Sequence, residues 1–452
     1  MYTARKMARL NLTSIQLIVL FYLAAVIVAT LLLSLPYTHK PGMEWSFIDA
    51  FFTAVSAVSV TGLTVVSTAD TFSTFGVFVL AFILQFGGIG IMTLGTFIWL
   101  VFRKRIGLKE RQLIMTDQNR GTFTGLVALM KQILVLILIF EAVGTLLLGI
   151  YFLSYFPTWQ EAFLQGFFGA VSATTNAGFD ITGESLIPFA QDYYVQTINM
   201  ILLILGAIGF PVLIETKEFL LNKKRDTHFR FSLFTKLTTV TFFSLLVIGA
   251  LLIYLFERNH FFTGMSWHET FFYSLFQSVT TRNGGLATMD VNEFTTPTQL
   301  LLSLFMFIGA SPSSVGGGIR TTTFAIVLLT IFAFARGRNS IKVFHREIDN
   351  YDMIKSFVVV VVAMLVCGTA VIALSASEPF SLMAIVFEVC SAFGTTGLSM
   401  GITPELSTFG KVVIIIVMFI GRIGIFSFLF LLRGHEATTE SYHYPKERVI
   451  IG

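Results

Sequence analysis

Four short stretches of the 452-residue chain share one chemistry. Each sets hydroxyl, amide or small residues before a glycine: Val58-Ser59-Val60-Thr61-Gly62, Thr174-Thr175-Asn176-Ala177-Gly178, Thr281-Arg282-Asn283-Gly284-Gly285 and Phe393-Gly394-Thr395-Thr396-Gly397. The aligned glycines are 116, 107 and 112 positions apart. Glycine reaches backbone angles closed to other residues, so such a stretch can turn its carbonyl oxygens to one side. A ring of these oxygens replaces the hydration shell of a cation, whereas rings of carboxylates are the other common device. These stretches hold no carboxylate. One isolated glycine is equally well explained by helix packing. Four at near-constant spacing, each after a short aromatic-rich segment, imply a ring of monovalent-cation ligands. Thr61, Ala177, Gly284 and Thr396 would keep its lumen narrow and uncharged.

Carbonyls used in this way need a scaffold that is not water-facing on all sides. The chain is 55% hydrophobic and 12% charged, against about 25% charged residues in soluble domains, and its mean hydropathy is +0.80. Apolar runs occupy 15–35, 72–102, 125–156, 195–214, 231–256, 300–308, 321–335, 357–374 and 412–432. Roughly 20 apolar residues cross a bilayer core as a helix, so the class is a polytopic membrane protein. Between the runs, basic connectors (Arg5/Lys6/Arg9, 103–120, 217–236, 336–355, 433–448) alternate with connectors holding only Lys40, Arg258 and Lys411 but many acids, among them Asp70, Asp180 and Asp290. Lysine and arginine stay on the cytoplasmic side, which puts both termini inside. The basic segments are short and interleaved with spans, which excludes a nucleic-acid surface.

Each glycine stretch follows a segment of three or four turns, at 47–58, 162–174, 269–280 and 380–393, too short to span. The repeating unit is therefore a long helix, a re-entrant pore helix, an extended Gly/Thr turn and a second long helix. The expected fold is an all-α polytopic membrane protein of four tandem helix–pore helix–helix repeats around a central pore, with eight spanning helices. Repeat boundaries fall at 1–124, 125–230, 231–353 and 354–452. A basic connector at every boundary gives the repeats one orientation, unlike the inverted repeats of many secondary transporters.

The four loops, with FIGASPSSVGGGIRTTTF (307–324), EVCSAFGTTGLSMGITPEL (388–406) and MFIGRIG (418–424), resemble the Trk/Ktr/HKT superfamily of potassium transporters, above all the membrane subunit of bacterial Ktr systems. The resemblance covers nearly the whole chain. It implies a selectivity filter holding transported potassium at Gly62, Gly178, Gly285 and Gly397. Family members with serine in the first repeat favour sodium, so Gly62 argues for potassium. The third loop departs from the family's usual TRTAG, reading TRNGG through Asn283 and Gly284. The resemblance further implies a bacterial plasma membrane, a homodimer joined partly through the tail 444–452, and a cytosolic nucleotide-binding regulatory ring formed by a separate chain.

The second helix of the third repeat is expected to break at Gly309-Ala310-Ser311-Pro312-Ser313-Ser314-Val315-Gly316-Gly317-Gly318, because proline and four glycines cannot hold a continuous helix. Non-helical backbone at membrane depth must be buried or line a cavity. In the family this segment is an intramembrane gate beneath the filter. Arg422, a cation within an apolar run, should face a cavity or partner, and the resemblance puts it beside the gate. Arg320 is expected to snorkel toward the inner surface in preference to a gating role, and Arg282 to turn its side chain away from the lumen.

No GxGxxG or Walker loop is present, so nucleotide chemistry is not expected. All seven histidines (His39, His228, His260, His268, His345, His435, His443) fall in connectors, and Cys367 and Cys390 sit in apolar runs as packing residues. No convergent set of acids, bases and nucleophiles suggests an enzyme or a cofactor other than the transported ion. Two rivals stay open: a sodium-permeable pore of the same fold, and a transporter coupling cation uptake to a proton or sodium gradient. For the latter, Glu141 and Glu388 are the membrane-embedded carboxylates, each expected to be paired locally.

Overall fold

The computed structural model describes residues 13–43, 45–90, 126–221, 229–338, 340–433 and 445. The basic connectors at 103–120 and 222–228 and nearly all of the tail lie outside these residues, as does the proposed dimer contact of that tail.

The first helices of the repeats are α1 (Ser14–Leu33), α5 (Leu126–Phe152), α9 (Leu233–Glu257) and α13 (Asn350–Ser377). All four are long and apolar enough to cross a membrane. Their outward faces carry bare hydrocarbon, such as Leu31, Ile150, Val247 and Ile372 at 60–70% exposure. A soluble helix would put polar residues there. Caps set their starts: Thr13 and Gln16 form a reciprocal capping box on α1, and Ser232 accepts from the Thr235 N–H on α9.

The short helices are α2 (Phe47–Ser59), α6 (Trp159–Thr174), α10 (Trp267–Thr280) and α14 (Leu382–Gly394). Each opens on a side-chain cap: Ser46, Thr158, Ser266 and Ser381. At 13 to 16 residues and about 1.5 Å of rise per residue, none crosses a core about 30 Å thick.

The second helices of repeats two and four are shorter than their apolar runs suggest, and that of repeat three breaks where the sequence predicts. After a small turn, α3 (Thr68–Thr71), repeat one continues as α4 (Thr74–Ile89) and stops at Gly90. Repeat two has α7 (Tyr193–Ala207) and α8 (Phe210–Leu221), bent by 104°. Repeat three has α11 (Thr296–Ile308) and α12 (Thr321–Ala335), and repeat four has α15 (Thr408–Ile423) and α16 (Ile425–Arg433). Runs 195–214 and 412–432, read as continuous, are thus broken, while in 72–102 the helix ends at Gly90 and the remaining residues lie outside those described. The reason is local: Gly90, Gly209, Gly309 and Gly424 take φ of +92°, +102°, +73° and +86°, which no right-handed helix accommodates. Composition hides this, since glycine is common in spanning helices.

The repeats close into a ring. Helix α4 packs on the pore helix α6 of repeat two, α7 on α10, α11 on α14, and α15 on α2 of repeat one. The last seam is tied by Lys411 Nζ to Asp49 Oδ1 at 2.8 Å, with side chains 13% and 19% exposed. In repeats three and four a carboxylate at the end of the first helix holds the start of the second. Glu257 accepts from the Thr295 N–H (2.9 Å) and hydroxyl (2.6 Å), and Glu378 from the Ser407 hydroxyl (2.5 Å). Negative charge at a helix N-terminus is favourable. Among the described residues the all-α reading admits one minor exception, a hairpin of β1 (Lys342–Val343) and β2 (Arg346–Glu347) in the connector before α13. Eight-span repeat architecture around a common axis describes the molecule, with the second span jointed rather than straight in repeats two, three and four.

Candidate ion-conduction site

Each pore helix runs into an extended loop with the same backbone signature. Two residues before the aligned glycine, Val60, Asn176, Asn283 and Thr395 have φ of +56°, +52°, +74° and +52°. The glycines Gly62, Gly178, Gly285 and Gly397 follow at +90°, +68°, +70° and +97°. Asparagine tolerates the left-handed region, but valine and threonine do so only when their surroundings enforce it. Three loops leave their helices through one shared bond: Thr61 N–H to Ser56 O (2.8 Å), Ala177 N–H to Ser172 O (2.8 Å) and Thr396 N–H to Ser391 O (2.9 Å). The third is tighter, Gly284 N–H donating to Thr280 O at 2.6 Å.

The four glycines meet. A Cβ placed on Gly62 would lie 2.5 Å from Ala177 O and 3.0 Å from Gly178 Cα. One on Gly178 would lie 2.9 Å from Gly285 Cα and 3.4 Å from Gly284 O. One on Gly285 would strike Thr396 O, and one on Gly397 would strike Thr61 O and lie 3.0 Å from Gly62 Cα. Every glycine therefore abuts the carbonyl just before the glycine of the next repeat, and the fourth returns to the first. The result is a closed cycle of glycine-to-carbonyl contacts running through all four repeats.

Hydroxyls that sequence reasoning did not single out brace this ring. Ser56 and Ser391 Oγ accept from the N–H of Gly62 (3.1 Å) and Gly397 (3.0 Å). Ser172 donates to Phe179 O (2.5 Å), and Thr280 to Leu286 O (2.6 Å). The signal was present, because a serine stands six positions before the glycine in three of the repeats. Arg282 is fully buried, and its guanidinium lies 4.8 Å from the centre of the Phe305 ring on α11. Its side chain thus packs behind the ring, a cation–π contact. Phe393 likewise stacks on Phe307, 5.3 Å between centroids.

Beneath the ring lies the segment 309–318. It folds on itself through Ala310 N–H to Gly317 O (3.2 Å) and is closed by Arg320 N–H to Ile308 O (2.9 Å). It touches the other repeats as well. Ser311 and Val315 N–H donate to Ala207 O (3.1 Å) and Gly206 O (3.3 Å), and Phe210 N–H donates to Ser313 O (2.8 Å). Pro312 O lies against Gly209, and Gly317 sits against Thr395 Oγ1 and Gly421 O. Arg422 donates from one guanidinium nitrogen to Val315 O and from the other to Gly87 O on α4. A segment of repeat three thus contacts repeats two and four, and through Arg422 repeat one. Ala310, Ser311 and Val315 are fully buried there.

The position of Arg320 corrects the sequence reading. It does not snorkel: its guanidinium turns back onto the same segment, donating to Ser311 O (3.2 Å) and to Gly316 O. A left-handed backbone (φ +81°) at the start of α12 makes this possible, which no pattern in the sequence signals. Glu141 accepts from Gln85 Nε2 on α4. Glu388, wholly buried, accepts from Ser399 Oγ (2.8 Å) and Thr403 Oγ1. Both carboxylates are locally satisfied.

These features define a helical membrane protein whose four pore loops meet in one ring, with a segment of repeat three packed against the others. A family of cation transport proteins, TrkH, matches residues 11–440, and the chain belongs to it. It is 62% identical over 441 residues to the Ktr system potassium uptake protein D of Bacillus subtilis, covering 98% of each chain. It is 32% identical over 456 residues to the potassium/sodium uptake protein NtpJ of Enterococcus hirae, covering 99% of each. The crystal structure of the potassium transporter TrkH from Vibrio parahaemolyticus superposes with a TM-score of 0.76 at 20% identity, over 95% of this chain and 87% of that one, a likeness of fold.

Proposed function

We propose that this chain is a potassium-uptake subunit conducting dehydrated monovalent cations through the ring of Gly62, Gly178, Gly285 and Gly397, with residues 309–318 and Arg422 as its gate. The closed cycle of glycine-to-carbonyl contacts supports this reading most directly, because carbonyl rings serve potassium-sized ions without supplying charge. The residues named in the four loops supply the ring's main-chain oxygens, and potassium is the cargo. The name of the Bacillus subtilis relative supports potassium as the ion. A sodium-permeable pathway is the second reading, favoured by the name of the Enterococcus relative. The membrane subunit is further proposed to act as a homodimer on a separate cytosolic nucleotide-binding ring, with both termini cytoplasmic, in keeping with its basic connectors.

The decisive experiment is growth of potassium-uptake-deficient bacteria at low potassium, followed by rubidium uptake under sodium competition. Rescue that survives excess sodium is expected. Failure of inserted protein to rescue, even with a Ktr-type regulatory ring co-expressed, would remove the potassium assignment.

A further inference from the structure

Asn283 is where the third loop departs from the family pattern, and it makes contacts that the other loops lack. It is fully buried with a left-handed backbone. Its amide nitrogen donates to Thr395 O at 2.9 Å, to Thr395 Oγ1 at 2.8 Å and to Gly394 O. One side chain of the third loop thus holds three acceptors of the fourth. At the equivalent position Val60 has no polar group, and the amide of Asn176 is best satisfied by carbonyls of its own repeat, Ala173 (2.8 Å) and Leu203 (3.2 Å). The same Asn283 amide is backed from below by the obstructing segment: a Cβ on Gly316 would lie 2.5 Å from Asn283 Cγ and 2.7 Å from its Nδ2. Next in line, a Cβ on Gly317 would lie 2.7 Å from Thr395 Oγ1.

The geometry points to Asn283 as a positioning residue that transmits the position of the gate segment to the fourth filter loop. With 309–318 seated, Gly316 leaves no room behind the amide, which is held against Gly394 and Thr395. When the segment moves away, the amide loses its backing and the fourth loop loses its hold. Filter spacing at Gly397 then depends on the gate, so ion discrimination and gating are coupled rather than independent. This rests on the pore reading above. It requires no other chemistry than hydrogen bonds made and released.

The test is a double-mutant cycle on the full chain in proteoliposomes, measuring rubidium uptake against sodium competition. Gly316→Ala drives a methyl group into the amide. Asn283→Gly removes the amide while keeping a residue that accepts positive φ. Each is expected to lower potassium-over-sodium discrimination about fivefold, the equivalent of one neutral hydrogen bond, and the double variant no further than either single one. Losses that multiply would overturn the coupling. So would unchanged discrimination in both singles while Gly62→Ser shifts it, since the filter reading would then stand without the clamp. If Gly62→Ser also changes nothing, the filter reading itself has failed. Should Asn283→Gly not insert, Asn283→Asp keeps the shape and puts an acceptor against acceptors, with the same expectation. A purely structural role would lower the thermal midpoint without moving the ion ratio.

Discussion

A side chain on any ring glycine would have to enter the contact between neighbouring repeats, and Gly62 is the informative position. Its φ of +90° is strained for any L-residue, and a Cβ there meets the Ala177 carbonyl at 2.5 Å. The left-handed region costs a non-glycine residue roughly 1–2 kcal/mol, so Gly62→Ser should displace the first loop against the second. Sodium permeation relative to potassium is expected to rise, read as the sodium concentration that halves rubidium uptake. Unchanged competition would separate Gly62 from the filter. The neighbouring brace matters for the same reason. Ser56 Oγ accepts from the Gly62 N–H, so Ser56→Ala leaves a buried donor unpaired, a loss of about 1–3 kcal/mol. A milder shift in the same direction is expected, together with a lower thermal midpoint.

Among the elements, the jointed second helices decide what can move. Continuous spans would be straight, whereas in repeats two, three and four a glycine of positive φ (Gly209, Gly309, Gly424) separates the two halves. The proposed gate segment is pinned by Arg422, whose two donors reach Val315 O and Gly87 O, and by Arg320. Hydrogen bonds to charged groups contribute about 1.5–3 kcal/mol each. Arg422→Ala should therefore shift the closed state toward open by tenfold or more at about 1.4 kcal/mol per decade. Higher unregulated rubidium flux in inserted protein is the expected result, and deleting residues 316–318 should act likewise. Wild-type flux in both variants would return the segment to a structural role.

At the scale of the whole molecule, four repeats in one chain must close on themselves, and the seam between the fourth and the first is held by Lys411 and Asp49. Asp49 lies in the first turn of the re-entrant helix α2. Burial opposes its ionisation, but hydrogen bonds from Lys411 and Ser46 outweigh this and hold its carboxyl below the usual carboxylate range. A depressed folded-state pKa stabilises above the unfolded value and the gain is lost as pH falls through the folded value. The pair should therefore stabilise the ring at neutral pH, and that contribution should be lost as acid takes the pH below the usual aspartate range. Thermal midpoints in detergent should fall with acid in the wild type, and Asp49→Asn should abolish this contribution while lowering the midpoint at pH 7. Equal midpoints at pH 7 would mean that the seam is carried by apolar packing alone.

Much of this was legible in the residues. Apolar runs, alternating basic connectors and four glycines at near-equal intervals determine a membrane chain of four like-oriented repeats, because hydropathy and charge act locally and additively along the chain. The extents 47–58, 162–174, 269–280 and 380–393 lie close to α2, α6, α10 and α14, since caps and aromatic content mark short helices without help from elsewhere. The broken segment 309–318 was legible too, for proline and clustered glycine leave no helical alternative. The joints at Gly90, Gly209 and Gly424 were not, because a lone glycine in an apolar run does not reveal its φ. Nor was the return of Arg320 onto the gate segment, nor the reach of Asn283 from the third loop to the fourth. The first turns on a left-handed φ at Arg320 that no residue pattern signals, and the second on which carbonyls lie within about 3 Å of a side chain across more than a hundred residues of sequence. Only closure of the ring brings such distant groups together, and so tertiary structure decided the contacts between filter and gate.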